Sequence, residues 1–158
     1  MLTDLCQELR NWFDRNQPKY FGSFSIHDGD VFFVGSDGTE TSMSELDLAT
    51  NQYFRIVGSV FNDGVHKYTS TELASLVTER FDNGAVWLMA VPPAVIALDA
   101  KIKDWQDKYG EASASPFTSE SFGGYSYSKS AGTSGANGGG GTTWQSAFKS
   151  ELNKWRKL

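Results

Sequence analysis

"QYFRIVGSVFNDGVHKY" (residues 52–68) decides the fold. Tyr53 to Phe61 is dense in β-branched and aromatic side chains, which suit a pleated, half-buried strand better than a helix. Asn62-Asp63-Gly64 then reads as a turn, because Asn and Asp bond their own backbone and Gly accepts positive φ. Val65 to Tyr68 returns as a second strand. Gly58, inside the first strand, predicts a bulge or a sharp bend.

The same pattern extends in both directions. "FSIHDGDVFFV" (24–34) is two apolar runs around Asp28-Gly29, a hairpin signal, and "SDGTETS" (36–42) supplies a second turn. "LVTERFDNGAVWLMAV" (76–91) reads as a third hairpin with Asp82-Asn83-Gly84 at its turn. Residues from about 20 to 90 are therefore expected to be β. The expected fold class is α+β: a small antiparallel sheet or partial barrel flanked by helices, with a glycine-rich C-terminal arm and a terminal helix.

Three helices flank the β region. Leu2, Leu5, Cys6, Leu9, Trp12 and Phe13 recur at helical spacing, which predicts a helix over 3–16 with Thr3 as N-cap. Pro92 and Pro93 open a second helix, with a stripe at Val95, Ile102, Trp105 and Tyr109, that Gly110 should stop near residue 109. Thr142 or Thr143 caps a last one, whose stripe is Trp144, Phe148, Leu152 and Trp155. The chain thus divides into a helix–β–helix core (1–110), an arm (111–141) and a docking helix (142–158). With "GANGGGG" (135–141) as tether, the last helix is expected to dock on a partner, so that removing residues 142–158 leaves the core folded.

The arm is not a uniform linker. Residues 131–141 have the Gly/Ser composition of one. Residues 117–128 alternate Phe122, Tyr125 and Tyr127 with small polar residues, as an extended strand with one aromatic face does. Such a strand either lies along a neighbour or joins a sheet edge, or it folds back on its own domain.

Charge and chemistry narrow the function. The net charge of −5 argues against a broad nucleic-acid surface. From Thr143 onward there are four cations and one anion, a balance that suits either a helix C-terminus or a docking element. The single cysteine, Cys6, permits no internal disulfide and fits a reducing, intracellular origin. "MLTDLCQELRNWF" (1–13) is too acidic for a signal peptide, and "AVWLMAVPPAVIAL" (85–98) is too short to span a bilayer, so no membrane partner is expected. His27 and His66 sit beside turns and read as solvated. Asp99, Asp104 and Asp107 alternate with lysines and read as ion-pair decoration of an exposed helix face. No catalytic residue, no metal-ligand set and no cofactor motif is assigned, so the chain is read as not an enzyme.

One combination of segments carries a resemblance. A leading helix, a turn-rich middle, "VPPAVIALDAKIKDWQDKYG" (91–110), "SPFTSESFGGYSYSKS" (115–130) and a terminal helix together resemble the head-tail connector proteins of long-tailed bacteriophages, also called adaptor or head-completion proteins. The match to the form "SESxGxYSYS" falls on Ser119, Glu120, Ser121, Phe122, Gly124, Tyr125, Ser126, Tyr127 and Ser128, within a likeness that covers roughly residues 92–158. Separately, Ile56, Gly58, Ser59, Asn62, Asp63 and Gly64 are similar to the "I-x-G-S-x-x-N-D-G-x-Y" hairpins of small β-modules in phage structural proteins.

Connectors of this class are nearly all helical, so this chain looks like a connector with an inserted β-domain or a related neck protein. The resemblance implies a structural virion protein made in the bacterial cytoplasm and placed in the neck, forming a homo-oligomeric ring, commonly a dodecamer. It implies contacts with the portal protein and with other neck or tail proteins, and a lining for DNA that passes without specific binding. Phe122, Tyr125, Tyr127, Trp144, Phe148, Leu152 and Trp155 would then lie at subunit or portal interfaces. The alternative is a small β-barrel that binds a peptide or single-stranded nucleic acid, with Phe32, Tyr53 and Phe54 as stacking surfaces.

Overall fold

The computed structural model describes residues 1–114, 119–122, 125–128 and 143–157. Chain order is α1 (Leu2–Leu9), β1 (Lys19–His27), β2 (Asp30–Val34), β3 (Glu40–Ser42), α2 (Met43–Leu46), β4 (Tyr53–Val57), β5 (Gly64–Lys67), α3 (Ser70–Ala74), β6 (Glu79–Met89), α4 (Pro93–Ala114), β7 (Ser119–Phe122), β8 (Tyr125–Ser128), α5 (Trp144–Ala147) and α6 (Lys149–Leu152). Strands β1 to β6 form one sheet, ordered β3-β2-β1-β6-β4-β5, in which every neighbouring pair is antiparallel. The sheet is open, not a closed barrel, so the fold is α+β with helices flanking a partial sheet. Among the described residues no helix is long and apolar enough to cross a membrane.

Turn chemistry sets the register of the first hairpin. His27 pairs with Asp30, which leaves Asp28 and Gly29 as a two-residue loop, both at positive φ (50° and 71°), as a type I′ turn needs.

The expected third hairpin does not form. Asp82-Asn83-Gly84 lies inside β6, one continuous strand from Glu79 to Met89. β1 pairs Gly22 with Gly84 but Phe24 with Phe81, so β6 holds one extra residue there, a β-bulge, with Asn83 at φ 55°. The residues that signal a turn here bend a strand that β1 and β4 hold from both sides.

Alternation along the strands separates two cores. Phe24, Ile26, Phe54, Ile56, Val86 and Leu88 bury one face of the sheet under Met43 of α2 and Leu73 of α3. On the opposite face Arg55 lies between the rings of Trp12, 3.5 Å away, and Trp87, 5.0 Å away. A second core joins Leu5 and Leu9 of α1, Val95, Leu98 and Ile102 of α4, and Leu152 of α6. Cys6 is buried beside it; burial and the nearby Asp99 carboxylate push its thiol up to about 12, against a smaller opposing pull from Arg55, so it carries no thiolate reactivity.

Helix boundaries differ from the sequence expectation for tertiary reasons. α1 stops at Leu9, and Arg10 turns left-handed (φ 50°), which brings Trp12 onto Arg55 and Phe13 onto Trp155. Thr3 is not a cap: Met1 is the N-cap residue, and the Thr3 hydroxyl accepts from the Val65 amide of β5. α4 passes through Gly110 and continues to Ala114. The expected β strand over 53–61 ends at Val57, where Gly58 turns out at φ 90°. The terminal segment is two short helices broken at Phe148 and capped by Thr143, whose hydroxyl accepts from the Ser146 amide.

That terminal segment docks on its own domain. Leu152 is fully buried in the second core, with Trp144, Phe148 and Trp155 packed around it. The Lys157 amide donates to the Leu9 carbonyl, Asn11 donates to the Trp155 carbonyl, Arg156 pairs with Glu8, and Lys101 lies 3.7 Å from Glu151. Leu152→Ala should therefore lower unfolding free energy by about 2–5 kcal/mol in urea titration. A loss under about 0.5 kcal/mol would mean that the segment is not part of the core.

Candidate functional site

Four large apolar side chains are exposed among the described residues: Phe21 on β1, Val77 just before β6, and the adjacent pair Val60 and Phe61. β4 and β5 are joined by Gly58 to Asp63, where Val60 is 80% exposed and Phe61 67% exposed. Both are flanked by deeply buried polar residues: Ser59 keeps 7% of its surface and Asn62 keeps 4%. A loop with its polar residues inside and its apolar residues outside inverts the usual order, and hydrogen bonding explains how it stands.

Glu79, the first residue of β6, holds the loop from below. Its carboxylate accepts from the Ser59 hydroxyl, from the Val60 amide at 2.8 Å, from the Phe61 amide at 3.4 Å and from the Asn62 side-chain amide at 3.1 Å. Asn62 completes the frame. It donates to the Val77 carbonyl at 2.9 Å, accepts from the Val77 amide at 2.8 Å, and its own amide donates to the Ser59 hydroxyl at 2.7 Å. The Asp63 carboxylate accepts from the Gly58 amide at 3.0 Å, and the His66 ring bonds the Asn62 carbonyl at 2.8 Å. These bonds take up the backbone amides of Gly58, Val60, Phe61 and Asn62 and leave the two apolar side chains projecting into solvent.

Two glycines let the loop leave the sheet where it does. A Cβ on Gly58 would stand 3.2 Å from the Gly84 Cα, at a backbone φ of 90° that side chains rarely adopt. A Cβ on Gly84 would stand 2.9 Å from the Val57 carbonyl oxygen and closer still to the Phe81 ring. The β6 bulge and the end of β4 therefore touch backbone to backbone.

A second feature lies at the other end of the same strands. A cavity of about 370 Å³ is lined by Tyr53, Lys67, Met89, Val91, Pro93 and Ile96, among others.

The residues singled out from sequence are distributed differently. Trp144, Phe148, Leu152 and Trp155 converge on the second core, as above. Phe122, Tyr125 and Tyr127 lie on β7 and β8, which pair antiparallel with Phe122 opposite Tyr125, in a two-stranded sheet separate from the main one. The linker-like residues 131–141, and Thr142, lie outside the described residues. Phe54 is fully buried, so it offers no stacking face.

The titratable groups read as solvated are paired. His27 meets Asp28 at 3.0 Å and Glu40 at 2.9 Å, both of which hold its pKa above the ordinary value, and its ring stacks on Phe32. Asp99 is half-buried rather than on an exposed face; burial raises its pKa, and one of its oxygens has no partner. Among the described residues no group of three or more His, Cys, Asp or Glu is arranged to hold a metal.

Sequence reasoning found Asn62, Asp63 and Gly64 as turn residues but placed Ser59, Val60 and Phe61 in a strand. The available signal was their position, two large apolar residues enclosed by Gly-Ser and Asn-Asp-Gly. Comparison with protein-family models, curated proteins and solved structures gives no match for this chain.

Burial alone would raise the Glu79 pKa, but the bonds from Ser59, Val60, Phe61 and Asn62 outweigh it and hold the carboxyl below its ordinary value near 4.5. Its contribution is thus complete above pH 4.5 and is lost as pH falls through the folded-state value. Amide protection at Val60 and Phe61, followed by NMR exchange, should fall on acidification. Glu79→Gln should abolish that pH dependence and lower protection at neutral pH. Unchanged protection in Glu79→Gln would contradict the clamp.

Proposed function

We propose that this chain is a structural virion protein, a head-tail connector subunit that forms a ring between portal and tail around the DNA passage. The observation that carries the reading is the clamped display of Val60 and Phe61. In the hairpin form "G-S-x-x-N-D-G", the specified positions are the residues that frame the loop here: Gly58 turns it, and Ser59, Asn62 and Asp63 hold it. The two unspecified positions are the pair that projects. A loop held this way gives a protein partner a preformed apolar contact, with little ordering cost on binding. Isolated exposed apolar residues are ordinary, but a polar frame built to keep two of them outside suits an assembly surface.

The arm adds a second support. Its "SESFGGYSYS" (119–128) is the stretch on which the connector resemblance rests, and β7 and β8 form there as a hairpin that pairs with neither edge of the main sheet. Portal, neighbouring neck proteins and further copies of the same chain are the proposed partners. The net acidic charge suits a channel that lets DNA slide rather than gripping it.

Replacing both Val60 and Phe61 by Asp tests the reading. The fold should hold, with a stability change within about 0.5 kcal/mol, because neither side chain is part of a core. In phage particles made with the variant, filled heads should accumulate without tails. Normal tailed particles with the variant incorporated, or absence of the wild-type protein from purified particles, would overturn it.

A further inference from the structure

We infer that His66 is a proton-operated tie between the display loop and α3: the protonated ring holds the Asn62 carbonyl and the Glu72 carboxylate together, and the neutral ring holds only the first. The inference rests on the assembly reading and supplies a regulation of the same loop.

Strand pairing places the ring. His66 of β5 stands opposite Phe54 of β4, so both side chains lie on the core face of the sheet, with their rings 5.7 Å apart. The Asn62 carbonyl meets Nε2 at 2.8 Å. The Glu72 carboxylate lies 3.4 Å from the other ring nitrogen, Nδ1. Glu72 is itself held in place: Thr69 caps α3 and accepts from the Glu72 amide, and Leu73 anchors the helix in the first core. Only 15% of the His66 side chain is exposed, so solvent does little to replace either partner.

Imidazole chemistry makes the contact conditional. A carbonyl oxygen only accepts, so Nε2 carries a hydrogen in either state. A neutral ring has no second hydrogen, and its Nδ1 lone pair then faces a carboxylate that also only accepts. A proton on Nδ1 turns that repulsion into an ion pair and sets a positive ring beside the Phe54 ring. The other charged and titratable groups nearby are turned elsewhere. Lys67 points to the opposite face of the sheet, 5.7 Å from the Tyr53 ring. Asp63 is exposed and bonds the Gly58 amide, and the Tyr68 hydroxyl donates to Asp30. Glu79 lies beyond Asn62 and accepts from its side-chain amide.

The tie and the Glu79 clamp act on the same loop with opposite pH dependence. A proton on His66 tightens the loop, whereas a proton on Glu79, at lower pH, releases it. The loop is therefore most ordered between the two. By linkage, a partner that binds the ordered loop favours proton uptake, so docking strengthens in mild acid.

The test is amide protection at Phe61 and Asn62 in the full chain, corrected for intrinsic exchange. NMR follows it from about pH 8 to about pH 5.5, across the range in which histidine changes charge. The chain has two histidines, and His27 is engaged by Asp28 and Glu40, so substituting His66 isolates the response. Wild-type protection should rise roughly two- to fivefold as pH falls, the scale of a partly exposed ion pair. His66→Gln should flatten the profile. Glu72→Gln should flatten it at the high level, because a glutamine amide donates to neutral Nδ1 and no proton is needed. Ring ¹⁵N shifts should show the Nε2–H tautomer of His66 at the alkaline end. A flat wild-type profile, an Nδ1–H tautomer there, or a pH response that survives either substitution overturns the tie. If the tie fails while the Val60/Phe61 aspartate variant still blocks head-tail joining, the loop is an assembly surface without this control, and the assembly reading stands. If the tie operates but that variant gives normal tailed particles, the assembly reading falls and the tie remains.

Discussion

The close approach of Gly58 to Gly84 is the constraint on which the rest of the structure depends. β6 is the only strand that pairs with both β1 and β4, and it joins the two halves of the sheet. It pairs with β1 on both sides of the bulge, because the bulge at Asn83-Gly84 absorbs an extra residue, and with β4 from Ala85 to Met89. Without side chains at Gly58 and Gly84, β4 ends against that bulge and turns away. The turn brings the following four residues over Glu79, at the start of the same strand. One strand thus supplies the register of the sheet, the bend in it and the carboxylate that fixes the loop.

The clamp has a physical logic. A carboxylate accepting several N–H and O–H bonds makes charge-assisted contacts, each stronger than a neutral one. Asn62 is buried with both ends of its amide used, and an unpaired buried amide there would cost about 1–3 kcal/mol. Loops usually gain order by burying their apolar side chains. Here the polar frame does the ordering, so Val60 and Phe61 are free to be presented.

How much of this was legible in the sequence depends on how far each signal reaches. Asp28-Gly29 names its hairpin because the turn is local and nothing else competes for the residues. Asp82-Asn83-Gly84 carries the same chemistry yet ends inside a strand, because β1 pairs with β6 on both sides of it; that pairing is decided by residues such as Gly22 and Phe24, far away in the chain. Helical spacing through Trp12 and Phe13 overran α1, since those rings are wanted elsewhere, on Arg55 and Trp155. The terminal stripe was legible as a stripe, but its docking surface, made by α1 and α4, was not. At the site, Asn62, Asp63 and Gly64 announce a turn by their type, whereas Ser59 reads as part of the strand before it. Glu79, seventeen residues beyond Asn62, announces nothing.

The central claim is that the loop is ordered before any partner arrives. Backbone ¹⁵N relaxation on the isolated protein measures this directly. Order parameters at Ser59, Val60, Phe61 and Asn62 near those of β4 and β6, about 0.85, are the predicted result. Values below about 0.6 at Val60 and Phe61 would contradict the account.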